Sequence, residues 1–211
     1  MIKGIIFDYD GVIAESVQVK TQAFADIYEP YGSDVVAQVI THHEANGGIS
    51  RFEKIKIYHK QHLGVQLDGD GVQELADQFS DLVLTKVIDS PYVPGAYEFL
   101  ASNQGRYDLF ISTGTPTDEI ETILAKKNTR KYFKSVYGSP ESKTSHVLKI
   151  IEETGHQIHE LVFIGDAITD RDAARNTGVH FIGRFTTIES IKNEKLLIKD
   201  FKNLADILLR L

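Results

Sequence analysis

The chain has 211 residues, no cysteine and a formal charge of −7. The missing thiols exclude disulfides and a thiolate nucleophile, and an acidic balance without a long basic run argues against a nucleic-acid or anionic-membrane partner. Hydrophobic residues make up 42% of the chain, enough for a real core, yet no apolar run approaches the ~20 residues of a membrane span and no leader pattern opens the sequence, so a soluble cytoplasmic protein is expected.

The first element is a short apolar run, Gly4-Ile5-Ile6-Phe7, that meets Asp8-Tyr9-Asp10-Gly11. It reads as a buried strand ending in a turn. Residues 15–89 have a different texture. Phe24, Ile27 and Tyr28 share a helical face, as do Val35, Val36, Val39 and Ile40. Phe52, Ile55 and Tyr58 recur at spacing three, and Leu75, Phe79 and Leu82 do much the same. Four helices separated by Gly32, Gly47-Gly48 and Gly64 are expected, packed as a small bundle with Tyr28, Tyr31 and Tyr58 in its core.

From Pro91 onward strands and helices alternate. Pro94-Gly95 falls in the first turn of a helix that runs to about Ser102. Tyr107 to Thr113 is a strand, and Pro116 opens a helix through Lys126. Val136-Tyr137 is a short strand, Thr144 to Glu153 a helix, and Leu161 to Gly165 a strand. Asp170 to Thr177 is a helix closed by Gly178. His180 to Gly183 is a strand and Leu204 to Leu211 an amphipathic helix. Such alternation implies an α/β fold with a Rossmann-like parallel sheet. The expected division is a core of residues 1–14 and 90–211, interrupted by a helical cap of residues 15–89.

Ligands in open parallel sheets bind beyond the carboxyl ends of the strands. Asp8 and Asp10 sit at such an end and, two apart on an extended chain, point the same way. Two such carboxylates repel unless a cation lies between them, and magnesium, a hard ion with oxygen ligands, is the expected one. Asp166 follows strand and glycine in Ile164-Gly165-Asp166 and adds a third acid at the same edge, with Asp170 one helical turn on. Thr113-Gly114-Thr115 ends a strand before a helix, where a hydroxyl and backbone N–H groups either bind a phosphate or simply cap the helix. Lys143 opposes the dipole at a helix start, which suggests a placement for another purpose. Among the histidines, His59 and His62 share a helix face but lack a third ligand.

Taken in order, these stretches resemble the motifs of the haloacid dehalogenase superfamily of phosphotransferases. Asp8-Tyr9-Asp10-Gly11-Val12 resembles its first motif, Thr113 its second, Lys143 its third, and Gly165-Asp166 through Asp170 its fourth. The helical insert is similar to the cap of the phosphoglycolate phosphatase and β-phosphoglucomutase branch. Two positions depart from the family's pattern: Thr144 stands where proline often follows the lysine, and Gly114 where asparagine often follows the threonine. The resemblance implies that Asp8 is the nucleophile and forms an aspartyl phosphate, and that Asp10 is the acid and base. It implies that Thr113, Gly114 and Lys143 bind the phosphoryl group. Magnesium would be held by Asp8, the Asp10 carbonyl and Asp166, with Asp170 orienting Lys143 or a metal-bound water.

Gly47-Gly48-Ile49-Ser50-Arg51-Phe52-Glu53 has the spacing of a capping box at Ser50 and Glu53. It also resembles the cap loop of β-phosphoglucomutase relatives, which makes Arg51 a candidate specificity residue for the far end of the substrate. The expected function is a magnesium-dependent phosphatase of a small phosphorylated metabolite, a sugar or hydroxy-acid phosphate, acting as a monomer or homodimer. A sugar phosphomutase and a non-catalytic binding protein on the same fold are the alternatives. Phosphonate cleavage would need a desolvated cap lysine such as Lys54 or Lys56, and nothing in the sequence marks either as desolvated.

Overall fold

The structure is a computed structural model that describes residues 1–184 and 191–211. Strand β1 (Gly4–Phe7) is followed by four cap helices: α1 (Val17–Tyr28), α2 (Ser33–Ala45), α3 (Arg51–Tyr58), extended by a π-helical turn over His59–Leu63, and α4 (Gly69–Asp89). Then come α5 (Ala96–Asn103), β2 (Asp108–Pro116), α6 (Thr117–Lys126), β3 (Ser135–Ser139), α7 (Lys143–Thr154), β4 (Leu161–Gly165), α8 (Ile168–Thr177), β5 (His180–Arg184), β6 (Leu197–Ile198) and α9 (Leu204–Leu208). The sheet order is β3-β2-β1-β4-β5-β6 and every pairing is parallel. That is the doubly wound order in which the crevice opens beside β1, where the winding reverses.

Alternation along β1 builds both layers. Ile5 and Phe7 face one side, with Phe99 of α5, Ile120, Ile123 and Leu124 of α6, and Leu204 and Leu208 of α9. Ile6 faces the other, with Val147 and Ile150 of α7 and Ala173 and Ala174 of α8. Phe7 is held between rings, 6.3 Å from Phe99 and 5.9 Å from Phe201. The cap has its own aromatic centre of Phe24, Tyr28, Tyr58 and Phe79, all fully buried. Tyr31, expected there, is 48% exposed on the rim. Two connecting segments lie side by side: Ala14 bridges Tyr92, and the Val93 N–H donates to the Ile13 carbonyl.

Several boundaries differ from those read in the sequence, each for a local reason. α5 starts at Ala96 because Gly95 is left-handed (φ +81°) and stands at its N-cap. β2 runs three residues past Thr113 because Pro116 pairs with Ser139 after an irregularity in register. α8 starts at Ile168, which makes Asp170 its third residue instead of its cap: Asp170 Oδ2 accepts from the N–H groups of Asp166 and Ala167. β6, only two residues long, escaped the pattern altogether.

Candidate active site

Phe7 pairs with Ile111 of β2 and Ile164 of β4, so Asp8, Thr113 and Asp166 emerge together at one edge of the sheet. The chain turns sharply after Asp8. The Tyr9 carbonyl accepts from the N–H groups of Ile13 and Ala14, at 2.9 and 3.1 Å. Gly11 is required in this turn: its φ is +75°, and a Cβ there would lie 2.1 Å from an Asp166 carboxylate oxygen. The turn gives the two carboxylates different cationic partners, where one cation between the two side chains was expected.

Each acid has its own cation. Asp8 meets Lys143 Nζ at 2.8 Å, and the same ammonium donates to Asp170 at 2.6 Å. Asp10 pairs with Lys20 of the cap and also accepts from Ser16 (2.6 Å) and Thr115 (3.2 Å). These partners hold the Asp10 carboxyl below the usual carboxylate range, against the opposing effect of burial. Lys143 keeps its proton despite burial because Asp170 and Asp8 flank it.

Asp8, Asp166 and Asp170 are all buried, with carboxylate oxygens within 4.8 Å of one another. The Asp10 side chain lies outside this group, so only its backbone carbonyl is available as the ligand that the resemblance assigns. Three carboxylates against the one Lys143 leave an excess of two negative charges. Burial pushes the Asp166 carboxyl well above its ordinary value, and the neighbouring Asp8 and Asp170 push it further. The Asp170 carboxyl is pushed up to about 7, by burial first and then by Asp8, against the lowering effect of Lys143. An all-oxygen set short of two positive charges fits a hard divalent cation such as magnesium.

Thr113 is buried, and its Oγ1 accepts from the Thr115 N–H at 3.2 Å. The cap explains Gly114. A Cβ at that position would lie 2.8 Å from the Gly48 carbonyl oxygen, so the cap loop approaches more closely than an asparagine would allow. Gly48 in turn stands over Thr169 and Lys143, and Thr169 Oγ1 donates to the Gly47 carbonyl at 3.3 Å. Between cap and core lies a cavity bounded by Asp8, Asp10 and Thr113 from the core and Lys20, His43 and Lys54 from the cap.

Arg51 reaches this cavity, but its guanidinium is engaged. It forms a two-pronged pair with Glu119 of α6 (2.6 and 2.8 Å), contacts Ser80, and lies 4.6 Å from the centre of the Phe79 ring. Arg51 is 4% exposed and the Glu119 side chain 8%. In this arrangement it ties cap to core. Arg51→Ala would leave Glu119 buried without a cation, a loss of about 3–5 kcal/mol. Arg51→Met combined with Glu119→Leu should recover most of that loss in denaturant unfolding. An effect of Arg51→Ala within about 0.5 kcal/mol would show that the pair does not hold the cap.

Lys20, Ser16, His43 and Glu119 were not singled out from the sequence, and Thr115 was read there only as part of the phosphate-binding or helix-capping stretch. Lys20 had a signal: it lies four residues before Phe24 on the apolar face of α1. Thr115 lies two residues from Thr113 on an extended strand. His59 is accounted for by the cap core, its Nδ1 lying 2.8 Å from the Tyr28 hydroxyl. No described helix is long and apolar enough to cross a membrane.

The phosphoglycolate phosphatase of Caulobacter vibrioides is 28% identical over 123 residues, 55% of this chain, and the chain spans about half (52%) of that protein's length. The phosphorylated carbohydrates phosphatase of Thermotoga maritima is 22% identical over 204 residues, 94% of this chain and 91% of that one. The crystal structure of β-phosphoglucomutase from Clostridium difficile superposes with a TM-score of 0.80 at 17% identity, over 100% of this chain and 98% of that one, a likeness of fold. The profile of the haloacid dehalogenase-like hydrolases matches residues 5–184, and the chain belongs to that family.

Proposed function

We propose that the protein is a magnesium-dependent phosphatase that hydrolyses a small phosphate monoester through a phosphorylated Asp8. The observation that carries this reading is the separate treatment of the two acids. Asp8 lies against Lys143 in the cluster of carboxylates, whereas Asp10 is turned to the cap side of the same cavity. Asp8 attacks phosphorus. Asp10 takes a proton from the attacking water, and the proton it gives to the leaving oxygen is one it must hold in the substrate complex, since Lys20 favours its charged form in the free protein. Lys143, the Thr113 hydroxyl and nearby backbone N–H groups hold the phosphoryl oxygens. Asp8, the Asp10 carbonyl and Asp166 would hold the magnesium ion, and Asp170, with both oxygens already engaged, positions Lys143. Bound there, the ion neutralises the excess negative charge that opposes approach of a phosphate.

Names of relatives support the same direction, since both sequence relatives are phosphatases. The mutase alternative rested on Arg51, and the engagement of that side chain by Glu119 weakens it. The intact set of acids and Lys143 argues against a non-catalytic role. A panel of phosphate esters assayed with magnesium tests the reading. Release of inorganic phosphate without any added bisphosphate is expected. Isomerised sugar phosphate without net phosphate release would favour the mutase.

A further inference from the structure

Three of the cations around the cavity are paired with acids: Lys143 with Asp8 and Asp170, Lys20 with Asp10, and Arg51 with Glu119. Lys54 is different. It is 2% exposed, and among the described residues it forms no ion pair. Its Nζ lies 2.9 Å from Nδ1 of the buried His43 and 5.9 Å from the centre of the Phe24 ring. Glu44, the nearest acid in sequence to His43, also borders the cavity but is exposed and makes no such pair. A buried ammonium is costly unless something negative compensates it. With Lys54 as an ammonium, Nδ1 of the neutral imidazole is the acceptor, which assigns the ring proton to Nε2.

We propose that Lys54, held in place by His43, is a subsite for a single negative charge on the leaving group, so that the preferred ester is a phosphorylated carboxylic acid. A carboxylate matches one ammonium in charge, whereas a second phosphate dianion would overmatch it. Burial depresses the Lys54 ammonium to about 7, with Lys20 and Lys143 adding to the effect, and the arrival of an anion relieves that cost. His43 is held neutral, at about 2, by burial and by Lys54 itself, so it orients the ammonium without competing for the anion. The assignment rests on the phosphatase reading for where the phosphoryl group sits.

Stable phosphonates isolate the carboxylate. 3-Phosphonopropionate and propylphosphonate differ only in carboxylate against methyl, and calorimetry on the magnesium-loaded protein compares them. A charged hydrogen bond predicts that 3-phosphonopropionate binds about 10- to 100-fold more tightly. Lys54→Met should bring that ratio to within about threefold, and Lys54→Arg should keep part of it. The ratio is insensitive to the fraction of folded protein, and far-ultraviolet circular dichroism confirms the fold of each variant. Equal binding of the two phosphonates by the wild type, with p-nitrophenyl phosphate still hydrolysed, overturns the subsite alone. Failure to bind either phosphonate or to hydrolyse that ester overturns the phosphatase reading with it. Tighter binding of ethylene bisphosphonate, or a borohydride-reducible adduct of 3-oxobutylphosphonate on Lys54, overturns the assignment to a carboxylate.

Discussion

Asp8→Asn should lower turnover by on the order of 10⁴-fold or more, the scale of losing a nucleophile, while the protein stays folded. The substitution keeps the shape of the side chain and removes one of three crowded negative charges. Lys143 keeps Asp170 as a partner at 2.6 Å, so no buried cation is stranded. In metal-free buffer the thermal midpoint should stay near that of the wild type or rise, because Asp166 and Asp170 lose a repelling neighbour. Activity loss accompanied by an unfolded chain would say nothing of the nucleophile, so circular dichroism belongs in the same experiment. Near-normal turnover by a pure, folded variant would remove Asp8 from the mechanism.

Removing magnesium should have the second largest effect. Excess chelator is expected to abolish activity, and calcium to inhibit, since its larger and more variable coordination misplaces Asp8. A binding readout stands apart from activity: magnesium at 100 times its dissociation constant should stabilise the fold by about 2.7 kcal/mol. Asp166→Ala should erase most of that gain. The sign of the pH dependence follows from the raised carboxyls. In the metal-free protein the folded state holds protons on Asp166 and Asp170 that the unfolded chain has already lost, so their contribution to stability falls as pH rises from about 4 through about 7. Metal binding requires its ligand Asp166 deprotonated, and a charged Asp170 beside it adds to the pull on the cation. The stabilisation by magnesium should therefore grow between pH 5 and 8, and a shift that shrinks with pH would contradict the charge balance argued for this site.

The sheet and its acids were legible because they depend on local pattern. An apolar run ending in Asp8, and another ending in Gly165-Asp166, announce buried strands and an edge. The order of motifs carried Thr113 and Lys143. The cap was legible as helices but not in its phase. Read by its apolar residues, α3 has a stripe of Phe52, Ile55 and Tyr58, whereas the structure buries Arg51, Lys54, Ile55 and Tyr58. A cation on a helix is normally read as solvent-facing. What reverses that reading at Arg51 is Glu119, 68 positions away in sequence, which no local pattern reveals. Lys20 and Asp10 have the same relation across the turn that follows β1. The same logic applies to Gly114, whose reason lies in the approach of Gly48 from another layer.

The proposed mechanism passes the phosphoryl group through Asp8. It is tested most directly by acid-quenching the wild-type enzyme during turnover of a ³²P-labelled phosphate ester with magnesium, then locating the label by peptide mapping, with Asp8→Asn run beside it. Label is expected on the peptide that carries Asp8, chemically behaving as an acyl phosphate and missing from the variant. Steady product release with no protein-bound label at any quench time, or label on a residue other than Asp8, would contradict it.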